Sequence, residues 1–332
     1  MVLLTLLSLC SCGLRQGGAS AGHDSSGEAA EPAAPRPFPL ANVPMVYGDD
    51  PAAAQEYMMD HYWDAFLAGE GKCSPELILG VKKEEVEQAL ANYIALLEDY
   101  RSAATPDYMA PLERVRKSLR SLHGKLESRQ LADTACRVYP QVTELVSKYL
   151  YDPNSPMRDE DLVLPFAESM AVSPCTSDNM RAACRYEAAQ CGTNSFGTRV
   201  PDVKYCDKDG RKGNLHSVRA EYTMLFFSNP GCSSCKEIID DVLSRDYIND
   251  YIAGHRLAIV NIYIDEDISA WRDYVHNYPR NWINGYDYSF KLRDSGLYDI
   301  RAIPSLYLLD SSKRVLLKDA PTERVLQYLD RI

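Results

Sequence analysis

The stretch Cys232-Ser233-Ser234-Cys235 limits the folds open to this chain more than any other feature. An apolar run, Tyr222–Phe227, precedes it and reads as a buried strand. Ile238, Ile239, Val242 and Leu243 follow at helical spacing, and Pro230-Gly231 supplies a turn between the two. A Cys-x-x-Cys pair at a strand-to-helix turn is a redox signature. The first cysteine meets the unpaired backbone N–H groups and the positive end of the helix, which favour its thiolate. The second lies about one turn along the same face, placed to resolve a mixed disulfide formed by the first. Lys236 reads as a surface lysine.

Around this stretch the periodicity predicts a mixed α/β domain over 196–332. Residues 203–206 and 215–218 are expected strands about a turn at 207–213. A continuous apolar run at 257–264 is expected in a sheet interior. Ile268, Trp271 and Val275 mark a helix over 268–278. Residues 305–310 and 314–318 form a hairpin around Ser311-Ser312-Lys313, and Thr322–Leu329 closes the chain as a helix. His216 reads as a strand or loop residue.

Residues 51–195 read as helices. Ala54, Tyr57, Met58, His61, Tyr62, Ala65 and Phe66 share one helical face. Val86, Ala89, Leu90, Tyr93, Ile94 and Leu97 make a second; Met109, Leu112, Val115, Leu119 and Leu122 make a third. Further helices are expected over 128–150, with an interruption at Pro140, and over 160–171 and 177–191. His61 between Asp60 and Asp64 reads as a helix-surface histidine, and Glu84, Glu85 and Glu87 as a solvated face. The segment 151–160, with Pro153 and Pro156, reads as a rigid structural connection packed against the second domain, with Arg158 placed to pair with neighbouring acids and a ligand loop as the alternative.

Charge and cysteine usage place the chain. Its formal net charge is −11, and no basic cluster offsets this, which argues against nucleic-acid binding. The apolar start ends in Leu9-Cys10-Ser11-Cys12, a bacterial lipobox pattern with Cys12 as the lipidated cysteine and 1–12 as signal segment. Residues 13–50, rich in Gly, Ala, Ser and Pro, are expected to be a flexible tether. Outside the cytosol disulfides persist. Cys73, Cys136, Cys175, Cys184, Cys191 and Cys206 allow fifteen pairings. On one straight helix Cys184 and Cys191 would lie about 10.5 Å apart and could not bridge. Cys175 with either remains open, and no tight Cys/His spacing suggests a metal.

The C-terminal domain resembles an extracytoplasmic thioredoxin fold of the TlpA/ResA group. The matching residues are Phe226-Phe227, Cys232 to Cys235, Asp265 after the next strand and Ile303-Pro304-Ser305 before the hairpin. The resemblance implies that Pro304 is cis and packs beside the dithiol, and that backbone at Ile303 pairs with an extended substrate. Trp271, Trp282 and Tyr286, in the long interval before Pro304, are expected to form a lid or specificity surface. Phe226 stands where thioredoxin carries a buried acid, six residues before the first cysteine. The whole chain also resembles a Bacteroidota lipoprotein family with a helical domain ahead of a thioredoxin-like one. That likeness is carried by Tyr62-Trp63-Asp64, Tyr151-Asp152-Pro153-Asn154-Ser155-Pro156-Met157-Arg158, Asn194 with Gly197, Trp282, Tyr298-Asp299 and Leu306-Tyr307-Leu308-Leu309-Asp310.

The expected fold class is therefore an α/β thioredoxin-like C-terminal domain preceded by a mainly α-helical domain. The expected activity is thiol–disulfide exchange on exported proteins or peptides, with Cys232, Cys235 and Pro304 catalytic and Ile303, Trp271 and Trp282 binding substrate. No cofactor and no metal are called for; the implied partners are substrate disulfides, a membrane redox donor and the lipid anchor. The competing reading is a non-catalytic envelope lipoprotein whose helical domain binds a peptide, glycan or protein on a thioredoxin-like scaffold.

Overall fold

Two helices joined at Tyr62-Trp63 open the helical part of the chain, and a segment expected to be free leads into them. The computed structural model describes residues 34–103 and 109–332, so Cys12 and the expected signal segment lie outside the described residues. Residues from Pro35 to Ile332 form one compact unit. The expected tether therefore ends early. Arg36 donates from Nε to the Leu79 carbonyl (2.9 Å) and from Nη2 to the Phe66 carbonyl (3.1 Å), and Phe38 stacks on Phe66. A guanidinium satisfied by buried carbonyls and a ring placed in an aromatic cluster fix a backbone that composition alone marks as loose.

Helix α1 (Pro51–His61) starts with Pro51 at its first position and Asp50 capping the Ala53 N–H (3.0 Å). The single helix expected through Phe66 breaks at Tyr62-Trp63 and resumes as α2 (Asp64–Leu67). The break lets Tyr62, Trp63, Phe66 and Leu67 all enter the core. His61 pairs with Asp64 at 2.6 Å, both side chains over 40 % exposed, as a surface pair. A small hairpin, β1 (Leu77–Ile78) and β2 (Val81–Lys82), leads into α3 (Lys83–Ala103), whose expected apolar face is fully buried. Helix α4 (Met109–Ala132) buries Leu112, Val115, Leu119 and Leu122.

The helix expected over 128–150 is interrupted, but ahead of Pro140. Asp133 accepts from the Ala135 and Cys136 N–H groups, and α5 (Val138–Leu150) begins afresh. Pro140 sits in its first turn, where a missing N–H costs nothing. Cys136, in the break, is disulfide-bonded to Cys73. Helices α6 (Glu160–Met170) and α7 (Asp178–Gly192) carry side-chain caps from Asp159 and Ser177. Cys184 and Cys191 share α7 and are unbridged, while Cys175 pairs with neither. Burial pushes the Cys184 thiol up to about 11 and raises Cys175 and Cys191 as well.

The sheet follows: β3 (Lys204–Cys206), β4 (Lys212–Asn214), β5 (Tyr222–Phe227), β6 (Leu257–Tyr263), β7 (Ile283–Tyr286), β8 (Ser305–Leu309) and β9 (Val315–Leu317). Its order is β4-β3-β7-β6-β5-β8-β9, with β5, β6 and β7 parallel and β8 antiparallel to β5. Helices α8 (Ser233–Leu243), α9 (Asp246–Ala253), α10 (Ile268–Tyr274), α11 (Lys291–Asp294) and α12 (Thr322–Leu329) connect and cover it. Two expectations need correction. Leu215–Ser217 is a 3-10 turn rather than a strand, because Asn214 caps Ser217 and Asp202 takes the His216 N–H; the strand lies just before it. The helix expected to 278 ends at Tyr274 and continues as a 3-10 turn.

Helices and sheet meet through buried charge. Lys318, 2 % exposed at its side chain, reaches Glu160 at 2.5 Å and donates to the carbonyls of Gln190 and Thr193 at the end of α7. Asp159 is shared by Arg101 of α3 (2.7 Å) and Arg324 of α12 (2.6 Å). The chain is thus a mainly α-helical domain followed by a mixed thioredoxin-like one. Among the described residues no helix is long and apolar enough to cross a membrane.

Candidate active site

The site is assembled where β5, β6 and β7 end and β8 begins. Strand β5 leaves the sheet into Ser228-Asn229-Pro230, and Gly231 takes a left-handed φ of 72°, a conformation other residues adopt at a cost. Cys232 then caps α8: its backbone is extended and its Sγ accepts from the Cys235 N–H at 3.1 Å. The two cysteines form a disulfide, with Cα atoms 5.2 Å apart. Cys232 is half-buried and Cys235 is 1 % exposed. The outer sulfur is thus the one a second molecule can reach, and it sits against the helix N-terminus, which favours its thiolate once reduced.

The β5–β8 register pairs Phe227 with Ser305. This sets Pro304 across from Ser228, at the sheet end from which the Cys232 turn departs. The Ile303–Pro304 bond is cis, and both residues are half-buried. Asp265, just past β6, accepts from Asn229 Nδ2 at 2.7 Å and faces Arg293 at 3.4 Å, tying α11 to the Cys232 turn. Lys236 is held on the surface by Asp240, which raises its pKa.

Phe226 is fully buried, in the same apolar cluster as Cys235. On the same sheet face, two residues on, Ser228 donates to Asn261 Oδ1 (2.5 Å), and Asn261 donates to Asn284 (3.0 Å). Ser228 and Asn261 are buried, Asn284 is half-buried and all three are neutral, so the face carries hydrogen bonds but no carboxylate at the Phe226 position.

Trp271 and Trp282 do not form an exposed surface. They are 1 % and 5 % exposed, Trp271 edge-on to Tyr286 and Trp282 edge-on to Phe226. Helix α10 and the unforeseen strand β7 fold both rings into the core rather than into an exposed lid. Trp282 borders a cleft of about 750 Å³ with Tyr205, Lys212, His276 and Arg280, and no cysteine lines it.

Behind the cis-proline loop lies a charged cluster that local sequence spacing does not reveal as a unit. Arg301 lies 3.0 Å from Glu160 and 3.2 Å from Asp319, and its guanidinium covers the Tyr151 ring at 4.3 Å. Arg158 donates to the Asp319 carbonyl at 2.7 Å. Burial raises Glu160, to about 7, and Asp319, against the pull of the cations beside them. The signal was partly visible: Arg158 and Glu160 fall in the connection expected to pack on the second domain.

Comparison with known proteins agrees with this architecture. Residues 15–194 match a domain of unknown function (DUF5106), and residues 220–315 match a thioredoxin-like family. A crystal structure of a thioredoxin-like protein from Bacteroides caccae is 32 % identical, covering 89 % of this chain and 99 % of that one, with a TM-score of 0.72. The C-terminal domain of an uncharacterized protein from Bacteroides fragilis is 42 % identical over 42 % of this chain and 99 % of its own, with a TM-score of 0.41. A conserved protein of unknown function from Bacteroides fragilis is 34 % identical over 41 % of this chain and 98 % of its own, with a TM-score of 0.40. No curated protein matches. With DUF5106 spanning more than half its length and a full-length relative of the same two-part build, the chain belongs to the DUF5106 family, as a two-domain Bacteroidota thioredoxin-like protein.

Proposed function

We propose that this chain is an extracytoplasmic thiol–disulfide oxidoreductase acting on exported proteins or peptides. The observation that carries the reading is the asymmetric dithiol: a reachable Cys232 capping a helix, a buried Cys235 one turn behind it, and a cis Ile303–Pro304 at the same sheet end. In the reducing direction, the Cys232 thiolate attacks one sulfur of a substrate disulfide. A mixed disulfide forms and the other substrate sulfur leaves as thiolate. Cys235, as thiolate, then attacks Cys232 Sγ and releases the second substrate sulfur. The substrate gains two electrons and two protons, and Cys232–Cys235 becomes oxidised. A membrane electron donor of the kind serving TlpA/ResA-like proteins resets the pair, and lipidation at Cys12 keeps it at the membrane. Ile303 backbone and Pro304 hold the extended substrate beside Cys232.

The test is insulin reduction by the soluble chain, with the dithiol potential measured in glutathione buffers. Exchange should be present in the wild type and absent in Cys232→Ser, and Cys235→Ser should accumulate a mixed disulfide with its substrate. Unchanged activity in Cys232→Ser would sink the assignment.

A further inference from the structure

The helical domain touches the thioredoxin-like domain at two loops that flank the start of β8. One is the loop ending in Ile303–Pro304. Arg301, two residues before Ile303, is nearly enclosed, with 13 % of its side chain exposed. Its partners come from both sides of the contact. From the helical domain, Glu160 lies at 3.0 Å, the Tyr151 carbonyl accepts from Nη1, and the Tyr151 ring lies under the guanidinium. From the sheet side, Asp319 lies at 3.2 Å.

The other loop is Asp319-Ala320, which follows β9. Its Ala320 N–H donates to Leu306 (3.1 Å), so it lies alongside the residues after Pro304. Arg158 donates to its two carbonyls, at 2.7 Å from Nε to Asp319 and 3.3 Å from Nη2 to Ala320. Asp319 has a positive φ of 41°, a backbone state that a non-glycine residue holds only when its surroundings fix it. Here Arg158 and Arg301 do so.

We propose that the helical domain is a brace for the substrate loop: Arg301, held by Glu160 and Tyr151, and Arg158, holding 319–320, fix the Ile303–Pro304 backbone in its substrate-receiving form. The proposal rests on the reading that this loop receives a disulfide substrate. A substrate that pairs with backbone gains most from a loop already ordered, because loop ordering otherwise subtracts from affinity. The contact does not reach the sulfurs, so the brace acts on substrate affinity and leaves the electron chemistry alone. These are positioning residues: none of the four touches Cys232 or Cys235.

The experiment measures KM, kcat and dithiol potential for a disulfide-containing peptide with the full soluble chain. Arg301→Met should raise KM about tenfold while kcat and the potential stay within twofold and measurement error. Arg301→Lys, which keeps the charge, should recover part of the loss. If Arg301→Met does not fold by circular dichroism, the isosteric Glu160→Gln carries the test, with a two- to threefold rise in KM expected. A wild-type KM in the folded variant, or a shifted potential that accounts for the change, overturns the brace. A wild type with no exchange activity overturns the proposed function, and the brace with it. Activity in the wild type with no effect in the variants overturns the brace alone.

Discussion

The Cys73–Cys136 disulfide should dominate the stability of the helical domain. It joins the chain just before the β1–β2 hairpin to the break between α4 and α5, 63 residues apart. In the chain-entropy account, closing a loop of that length removes about 4 kcal/mol of unfolded-state freedom. Residual structure in the unfolded chain lowers this, so about 2–4 kcal/mol is the expected loss. The variant is Cys73→Ala with Cys136→Ala. Alanine is chosen because Cys136 is 6 % exposed, and a serine hydroxyl there would add a burial cost of its own. Urea unfolding followed by far-ultraviolet circular dichroism gives the midpoint and slope. The midpoint should fall, and any change in slope reports a less compact unfolded state. Exchange activity should survive, since the bond lies in the helical domain. A stability within about 1 kcal/mol of wild type would refute the entropic argument. So would the finding that both cysteines react as free thiols in the denatured, unreduced wild type.

Two further perturbations separate packing from charge. Phe226→Ala removes a fully buried ring from the cluster that holds Cys235 and Trp282, and should cost about 3–5 kcal/mol in denaturant unfolding; a loss below about 1 kcal/mol would mean that the ring is not packed as described. His123 is 4 % exposed and bonds the Tyr139 hydroxyl at 2.9 Å, and burial holds its pKa below the usual value. The unfolded chain therefore binds this proton first as pH falls below about 6.5. Stability should drop on acidification from neutrality, by at most about 1.4 kcal/mol per pH unit from this site. His123→Gln should remove that part of the slope, and parallel stability–pH curves would refute it.

Much of the fold was legible because side-chain period and backbone chemistry agreed. Helix α3 and strands β5 and β6 are long, and nearly every inward position is apolar. The dithiol announced itself because its turn, helix and spacing serve one chemistry. Other elements were hidden where side chains, rather than pattern, decide. Strand β7 carries a half-buried Asn284, held by hydrogen bonds with Asn261 and the Pro279 carbonyl, so it lacks an apolar run. The turn at Leu215–Ser217 looks strand-like until Asn214 and Asp202 are seen to cap it. Trp271 and Trp282 looked like surface aromatics in a long insertion because the strand that buries them was itself unseen. Arg301 could not be read at all: its partners Glu160 and Tyr151 lie more than a hundred residues away, and such pairings are invisible to local spacing.

The unpaired cysteines have a consequence for a protein that works by exchanging sulfur bonds. Cys184, Cys191 and Cys206 are buried and Cys175 is half-buried. Burial pushes the Cys184 thiol up to about 11, which disfavours its thiolate at neutral pH. Cys175 and Cys191 are shifted the same way. Each is a poor attacking group, and the three buried sulfurs are walled off from solvent. Among the described residues, an oxidised Cys232–Cys235 therefore coexists with four free thiols that are poorly placed to shuffle it. Burial supplies a kinetic insulation that keeps the reactive pair addressed to other molecules.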